Sequence, residues 1–219
     1  MKPGDQLYAF FLTAQGRIIS DSYITCHEDH LLLDVEPNVR EAIAKHIDHY
    51  IIADDVTLED VTADTFSLIA GGKRIYGLLP EKEQTIETLN LSPATAEDFE
   101  THRVEHFHPV FGRDFNSSTL PQETGLNYAL HFNKGCYLGQ EIVERIRSRG
   151  HVNRVLVGLR SVTGSSIAVG SIVRFKGEEI GQVTSAANGS AIAIIRVVAS
   201  KPGTPVEIDG FTAEVTAVS

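Results

Sequence analysis

The chain has 219 residues, 42% of them hydrophobic, and a formal net charge of −10. That length holds one large or two modest domains with a real core, and the acidic balance argues against wholesale nucleic-acid binding. No run approaches the ~18 apolar residues of a membrane span, no secretory signal pattern opens the chain, and two distant cysteines, Cys26 and Cys136, make no disulfide framework. The expectation is a soluble, cytoplasmic protein with reduced thiols.

In chain order, Leu7 to Leu12 is apolar and aromatic, Thr13-Ala14-Gln15-Gly16 is a turn signal, and Arg17 to Thr25 continues as a second strand, so a hairpin is expected. Leu31 to Val35 reads as a third strand. Pro37 suits the first turn of a helix. Val39, Ile43, Ile47 and Tyr50 recur at helical spacing, which predicts an amphipathic helix over Asn38 to Tyr50. Val56 to Val61 and Thr65 to Ala70 read as two more strands, with Gly71-Gly72 ending the second. Ala96 to Phe107 reads as a helix, followed by a loop through Pro109, Gly112 and Asn116 to Thr119, and Gln140 to Arg147 as another helix.

After Gly150 the pattern changes to short strands. They are Val152 to Leu159, Ser171 to Phe175, Glu179 to Thr184, Ala191 to Val198 and Pro205 to Val218, separated by Gly-containing turns. This predicts an antiparallel barrel of five or six strands. The expected fold class is α+β: an antiparallel sheet with helices over residues 1–150, then a small C-terminal β-barrel over 151–219.

The most informative stretch is Lys134-Gly135-Cys136-Tyr137-Leu138-Gly139-Gln140-Glu141. A cation lies two positions before the thiol and a helix opens after it, and both favour the thiolate. Two glycines four positions apart suggest a sharp turn or a close backbone approach. The plainer alternative for Cys136 is a small buried hydrophobe. From Lys134 to Arg160 there are six Lys/Arg against Glu141 and Glu144. Arg145, Arg147 and Arg149 could hold an anion if they lie in an extended exit loop; a continuing helix would not put them on one face. The alternative is a solvated helix surface. Two histidine groups, His102/His106/His108 and Cys26/His27/His30, lack the ligand spacing of zinc sites, so no metal is expected.

Lys-Gly-Cys-Tyr-x-Gly-Gln-Glu resembles the signature of the YgfZ family of folate-binding proteins, relatives of the glycine-cleavage T-protein (aminomethyltransferase). Leu120-Pro121-Gln122-Glu123 resembles the family's approach to that signature, and Arg145 to Arg154 its exit. Gly16-Arg17-Ile18-Ile19-Ser20-Asp21 is similar to an early hairpin, and Gly181-Gln182-Val183-Thr184-Ser185 to a late strand.

The resemblance implies a T-protein-like folate-binding region with tetrahydrofolate, or another reduced folate, as cofactor. It implies a role with iron–sulfur enzymes or their assembly machinery, extending to tRNA modification. Arg103-Val104-Glu105 resembles the Arg-Leu-Glu of T-proteins, whose glutamate recognises the pterin; a carboxylate pairs well with a pterin's amino and ring N–H edge. The candidate cofactor-binding residues are therefore Glu105 and Arg103. Asp21 falls where the T-protein hairpin carries an aspartate needed for aminomethyl transfer, and Ser20 replaces one of the paired acids there. Cys136 and Asp21 are the candidate catalytic residues. Family members carry more residues before the first hairpin, so open sheet edges are expected near the N-terminus. Two other readings stand beside this one: an active aminomethyltransferase, and an RNA-interacting module using the arginines after Glu141, with steep salt dependence.

Overall fold

A computed structural model describes residues 1–71 and 73–216 of the chain. The first sheet has three antiparallel strands in the order β1 (Gln6–Leu12), β2 (Ile18–Cys26), β3 (Leu31–Asp34). Its first turn closes where Gly16 adopts a positive φ of 72° and donates its N–H to the Thr13 carbonyl at 2.9 Å. That turn sets the register, Phe10 opposite Asp21 and Tyr8 opposite Tyr23. Along β2 the pleat sends Ile18, Ser20 and Ser22 inward, while Asp21 and Tyr23 lie on the other face and are half-buried.

Helix α1 (Arg40–Tyr50) begins two residues later than expected and buries Ile43. Helix α3 (Ala96–Glu105) ends in a turn, and α4 (Gln140–Arg149) follows the signature loop. The strands β6 (Arg154–Ser161), β7 (Ile172–Phe175), β8 (Glu178–Ala187), β9 (Ser190–Arg196), β10 (Pro205–Ile208) and β11 (Phe211–Thr216) form a closed antiparallel barrel in the order β10-β11-β6-β9-β8-β7. The predicted barrel thus has six strands; the expected end of its last strand, at Val218, lies outside the described residues. Val157, Leu159, Val173, Val183, Ile195, Ile208 and Val215 fill its interior.

Strand β6 is buried on both faces, because Leu156 and the neighbouring Ile192 of β9 point outward into a second core with Leu12, Ile18, Val104, Phe107, Phe115, Leu126 and Val143. The three-stranded sheet, the end of α3, α4 and the barrel therefore share one core, and 1–43 with 99–219 form one compact unit.

Residues 44–98 form a second compact unit. It contains the two-stranded antiparallel sheet β4 (Thr65–Ala70) and β5 (Lys73–Leu78), followed by α2 (Lys82–Thr88). The expected strand Val56 to Val61 is absent. That segment is irregular, with Val56 and Leu58 exposed. The partner of β4 comes instead from the residues after Gly71-Gly72: a two-residue glycine connection is a hairpin signal, which the sequence reading took only as a strand end. The pair is pinned by Phe66, whose ring covers Gly77 so closely that a Cβ on Gly77 would lie 2.8 Å from it. Among the described residues no helix is long and apolar enough to cross a membrane.

Candidate functional site

Asp21 sits on the hairpin face that carries aromatic rings. The Tyr8 hydroxyl donates to its Oδ2 at 2.7 Å. The Tyr8 ring packs against Tyr23 and Tyr128, with centroids 4.9 and 5.8 Å away, and meets Phe10 edge-on at 5.5 Å. Burial, then the negative charge of Asp21 and the hydrogen bond to it, push the Tyr8 phenol well above its ordinary value of 10.0. Burial, with the neighbouring Tyr23 and Asp21, pushes Tyr128 up to about 12. Tyr8 and Tyr128 therefore stay protonated at neutral pH, and Tyr8 serves Asp21 as a donor. A half-buried carboxylate beside aromatic rings can hold a planar ring bearing N–H groups, by stacking and by accepting its hydrogen bonds. Ser20 points the opposite way into the core, fully buried, with its Oγ donating to the Asp21 carbonyl at 2.9 Å. A carboxylate at that position would be a buried charge.

The signature forms a loop ending in the helix start. Cys136 is exposed and its thiol is free. Lys134 is turned onto the Tyr137 ring, Nζ 4.4 Å from its centroid. The Tyr137 N–H donates to Gln140 Oε1, and the Gln140 N–H to the Tyr137 carbonyl, both at 3.2 Å, so Gln140 ties the loop to the first turn of α4. Gly139 is the N-cap of α4, with a φ of +80°. A Cβ there would lie 2.6 Å from the Thr13 carbonyl oxygen and 2.9 Å from the Gly16 Cα; a Cβ on Gly16 would lie 2.9 Å from Ile142 Cβ. The close approach suggested by the glycine spacing is thus a dock between the helix start and the turn of the Asp21 hairpin. Gly135 has open space around it.

The approach segment is a clamp on the same assembly. Gln122 Nε2 donates to the Val143 carbonyl in α4 at 3.0 Å. Glu123 Oε2 accepts the Leu120 N–H at 2.8 Å and lies 3.9 Å from Arg17 Nη1, while the same Arg17 nitrogen donates to the Ser118 carbonyl. The Ile18 N–H donates to Thr119 at 3.1 Å.

The arginines beyond the signature continue the helix to Arg149, so the extended-loop condition for a single anion-binding face fails. Arg145 pairs with Glu141. Arg147 lies 3.4 Å from Glu144 and 4.2 Å above the Phe132 ring. Arg149 is exposed.

Arg103 and Glu105 part ways. Glu105 is exposed at the end of α3. Arg103 is buried and directs its donors inward: Nε and Nη2 to the Glu100 carboxylate at 2.7 and 2.6 Å, Nη1 to Asp114 at 3.0 Å and the His108 carbonyl at 3.3 Å, and Nη2 to Ser185 Oγ at 2.6 Å. Asp114 in turn accepts from the Val110 N–H, Thr184 Oγ1 and Ser185 Oγ. This joint fastens α3 and its following loop to β8, and it accounts for Thr184-Ser185 in the late strand. Burial raises Glu100, but the hydrogen bonds and charges of Arg103 and Arg113 outweigh it and hold its carboxyl below the ordinary range.

His102, His106 and His108 stack on the surface with centroids 4.1 to 6.4 Å apart, and His27 stacks on His30 at 4.4 Å. Among the described residues no group of three or more His, Cys, Asp or Glu side chains is arranged to hold a metal ion. Sequence reasoning missed the tyrosines around Asp21 and the acceptors of Arg103. The first were within reach, because the Thr13–Gly16 turn fixes which residues of β1 face Asp21. Of the second, Glu100 was within reach as an i,i+3 pair on one helix, whereas Asp114 and Ser185, 11 and 82 residues away, were not.

Residues 155–219 match the family model of the CAF17 C-terminal beta-barrel domain. An aminomethyltransferase of Rippkaea orientalis is 37% identical over 118 residues, covering 50% of this chain and 31% of that protein. The human mitochondrial iron-sulfur cluster assembly factor IBA57 is 24% identical over 227 residues, covering 86% and 64%; an IBA57 homologue of Mycosarcoma maydis is 25% identical, covering 72% and 47%. The chain thus spans from about a third to just under two thirds of the length of these relatives. The crystal structure of the glycine cleavage system aminomethyltransferase T from Bartonella henselae superposes on all of this chain and 76% of its own, with a TM-score of 0.82 at 18% identity. The fold is that of the aminomethyltransferases, and in sequence the chain is similar both to them and to the IBA57 factors.

Proposed function

We propose that this protein binds a reduced folate and supports the assembly or repair of iron–sulfur clusters, and through such enzymes tRNA modification, with Cys136 presented to a cluster or client. The observation that carries this reading is the docking of the Cys136 loop onto the Asp21 hairpin through Gly139 and Gly16. One rigid support holds an exposed thiol and a half-buried carboxylate. The similarity to IBA57 factors over most of the chain supports the iron–sulfur part. One thiol on the loop does not hold a cluster alone, so Cys136 acts together with ligands from elsewhere.

The residues present fit a folate in part. Asp21 with Tyr8, Tyr23 and Tyr128 offers a carboxylate and stacking rings, and exposed Glu105 offers a second carboxylate for a pterin edge. Arg103 does not contribute, because its donors are occupied inside the protein.

The test has two arms. Calorimetry with tetrahydrofolate should show binding, weakened by ~1.5–3 kcal/mol in Glu105→Ala, the loss of a charged hydrogen-bond partner. Cys136→Ser should keep that affinity yet fail to support iron–sulfur enzymes in a cell lacking its own homologue. Full complementation by Cys136→Ser removes the thiol from the mechanism. Absence of folate binding in the parent removes the cofactor. The second reading, an active aminomethyltransferase, is favoured by Asp21 held by Tyr8 and by the 37% identity to such an enzyme. Robust methylene-tetrahydrofolate formation from an aminomethyl-lipoyl carrier would select it.

A further inference from the structure

We propose that Arg147 and Phe132 form a clasp that fixes the Cys136 loop against α4, which makes both of them positioning residues for the thiol. The inference rests on the reading of Cys136 as the functional thiol and says what holds it in place.

The first observation is the contrast between the loop and its two ends. Residues 131–137 lie in no helix or strand. Asn133, Lys134, Gly135 and Cys136 are exposed, and a Cβ on Gly135 would meet nothing within 4 Å. Four consecutive exposed residues that include a glycine do not fix a side chain by themselves. Phe132 and Tyr137, at the two ends, are half-buried and pack against the core shared by the sheet, α4 and the barrel. Each ring also carries a cation on its face. Arg147 lies 4.2 Å from the Phe132 centroid, and Lys134 Nζ lies 4.4 Å from that of Tyr137.

The second observation is the face of α4 beneath the loop. Gln140, Val143, Glu144 and Arg147 recur at i, i+3, i+4 and i+7 and share one side of the helix. Val143 is buried, and the three polar residues around it each engage the loop. Gln140 exchanges hydrogen bonds with the Tyr137 main chain. The Glu144 charge, after burial, helps raise the Tyr137 phenol. Arg147 lies 3.4 Å from Glu144 and covers Phe132. Gln140 therefore holds the end of the loop next to the helix, and Arg147 holds the distant end. A planar guanidinium suits that task, because it stacks on a ring and still donates to a carboxylate. Arg147 thus has work inside the protein, unlike a residue waiting for an anion.

The thiol is its own reporter. In a Cys26→Ser protein, a nitroxide attached to Cys136 reads the motion of the loop by electron paramagnetic resonance. Arg147→Met keeps the length and the apolar contact and removes the cation; Arg147→Lys keeps a cation. Phe132→Leu removes the ring; Phe132→Tyr keeps one. The Met and Leu variants should raise the ratio of mobile to held label about two- to fivefold, the scale of an exposed cation–π pair. The Lys and Tyr variants should stay within about twofold of the parent. Both Arg147 variants should keep the parental unfolding midpoint, because Arg147 is half-exposed, so a change in the label is not a loss of fold. In proton NMR the Arg147 Hδ signals should lie upfield in the parent, under the Phe132 ring, and lose that shift in Phe132→Leu. A parental nitroxide spectrum in Arg147→Met, or one shared by Arg147→Met and Arg147→Lys, would overturn the clasp. Support of iron–sulfur enzymes should fall in Arg147→Met and persist in Arg147→Lys; full support with a mobile label would overturn the positioning role. Full complementation by Cys136→Ser is a different failure: it sinks the reading of the thiol, while the nitroxide spectra still decide the clasp.

Discussion

The Asp21 carboxylate is shaped by its neighbours rather than by its own strand. Tyr8 gives it a hydrogen bond from a buried phenol, and the carboxylate in turn helps keep that phenol protonated. Tyr8→Phe removes the donor and keeps the ring, so it should destabilise the protein by ~1.5–3 kcal/mol, the worth of a hydrogen bond to a charged group. The pH dependence has a definite sign. Folding raises the pKa of Tyr8 and Tyr128, so their contribution is fully present below about 10, the unfolded tyrosine value, and is lost as pH climbs through the folded values, about 12 for Tyr128. Spectrophotometric titration of the native protein should show Tyr8 and Tyr128 among the phenols that ionise late, together with Tyr137, which burial and the charge of Glu144 also raise, and Tyr8→Phe should remove one of them. Ionisation of all tyrosines together near the ordinary value would show that the cluster is open to water.

At the scale of elements, the signature is a helix start docked on a hairpin turn, and its two glycines differ in kind. Gly139→Ala forces a Cβ into the left-handed region and against the Thr13 carbonyl. The conformation alone costs ~1–2 kcal/mol, and the overlap adds to it by displacing the turn. Gly135→Ala meets nothing within 4 Å and should change stability by less than about 0.5 kcal/mol. Thermal or denaturant melts of the two variants check the contrast; equal losses would refute the docking account. Sequence reading reached this far because turn chemistry and helical spacing are local: Gly16, Gly139, α4 and the barrel strands were each visible in a short window. It failed where the partner is non-local. Val56 to Val61 has strand-forming residues but pairs with no strand among the described residues, whereas the less apolar Lys73–Leu78 follows β4 closely in the chain and pairs with it. The continuation of α4 to Arg149 decides against one arginine face, and only helix geometry, not composition, could decide that. Arg103, read as a ligand residue by resemblance, is drawn inside by Asp114 and Ser185, acceptors that no local window contains.

At the scale of the whole molecule, the Arg103 joint is where the N-terminal elements and the barrel become one body. Arg103 and Asp114 are almost wholly buried, with side chains 2% and 0% exposed. Their mutual satisfaction, together with Glu100, Thr184 and Ser185, makes the burial of two charges tolerable. Arg103→Met keeps the length and removes the charge, leaving the buried Asp114 carboxyl short of its strongest partner. The expected loss is ~3 kcal/mol, within the range for breaking a buried pair. Arg103→Met/Asp114→Asn should be less destabilised than Arg103→Met alone, because no uncompensated charge remains; the difference is read as the coupling term of a double-mutant cycle. Acid titration gives an independent readout. Arg103 holds Glu100 below its ordinary value near 4.5. The stability drawn from Glu100 is therefore present above 4.5 and disappears as pH falls through the lower folded value. In Arg103→Met that acid-side loss should shrink, since Glu100 keeps only Arg113, at 2.8 Å and half-exposed. Denaturant melts from neutral pH down through the carboxylate range measure both effects. An Arg103→Met protein with parental stability and an unchanged acid limb would mean that the barrel holds to the sheet through its apolar core alone.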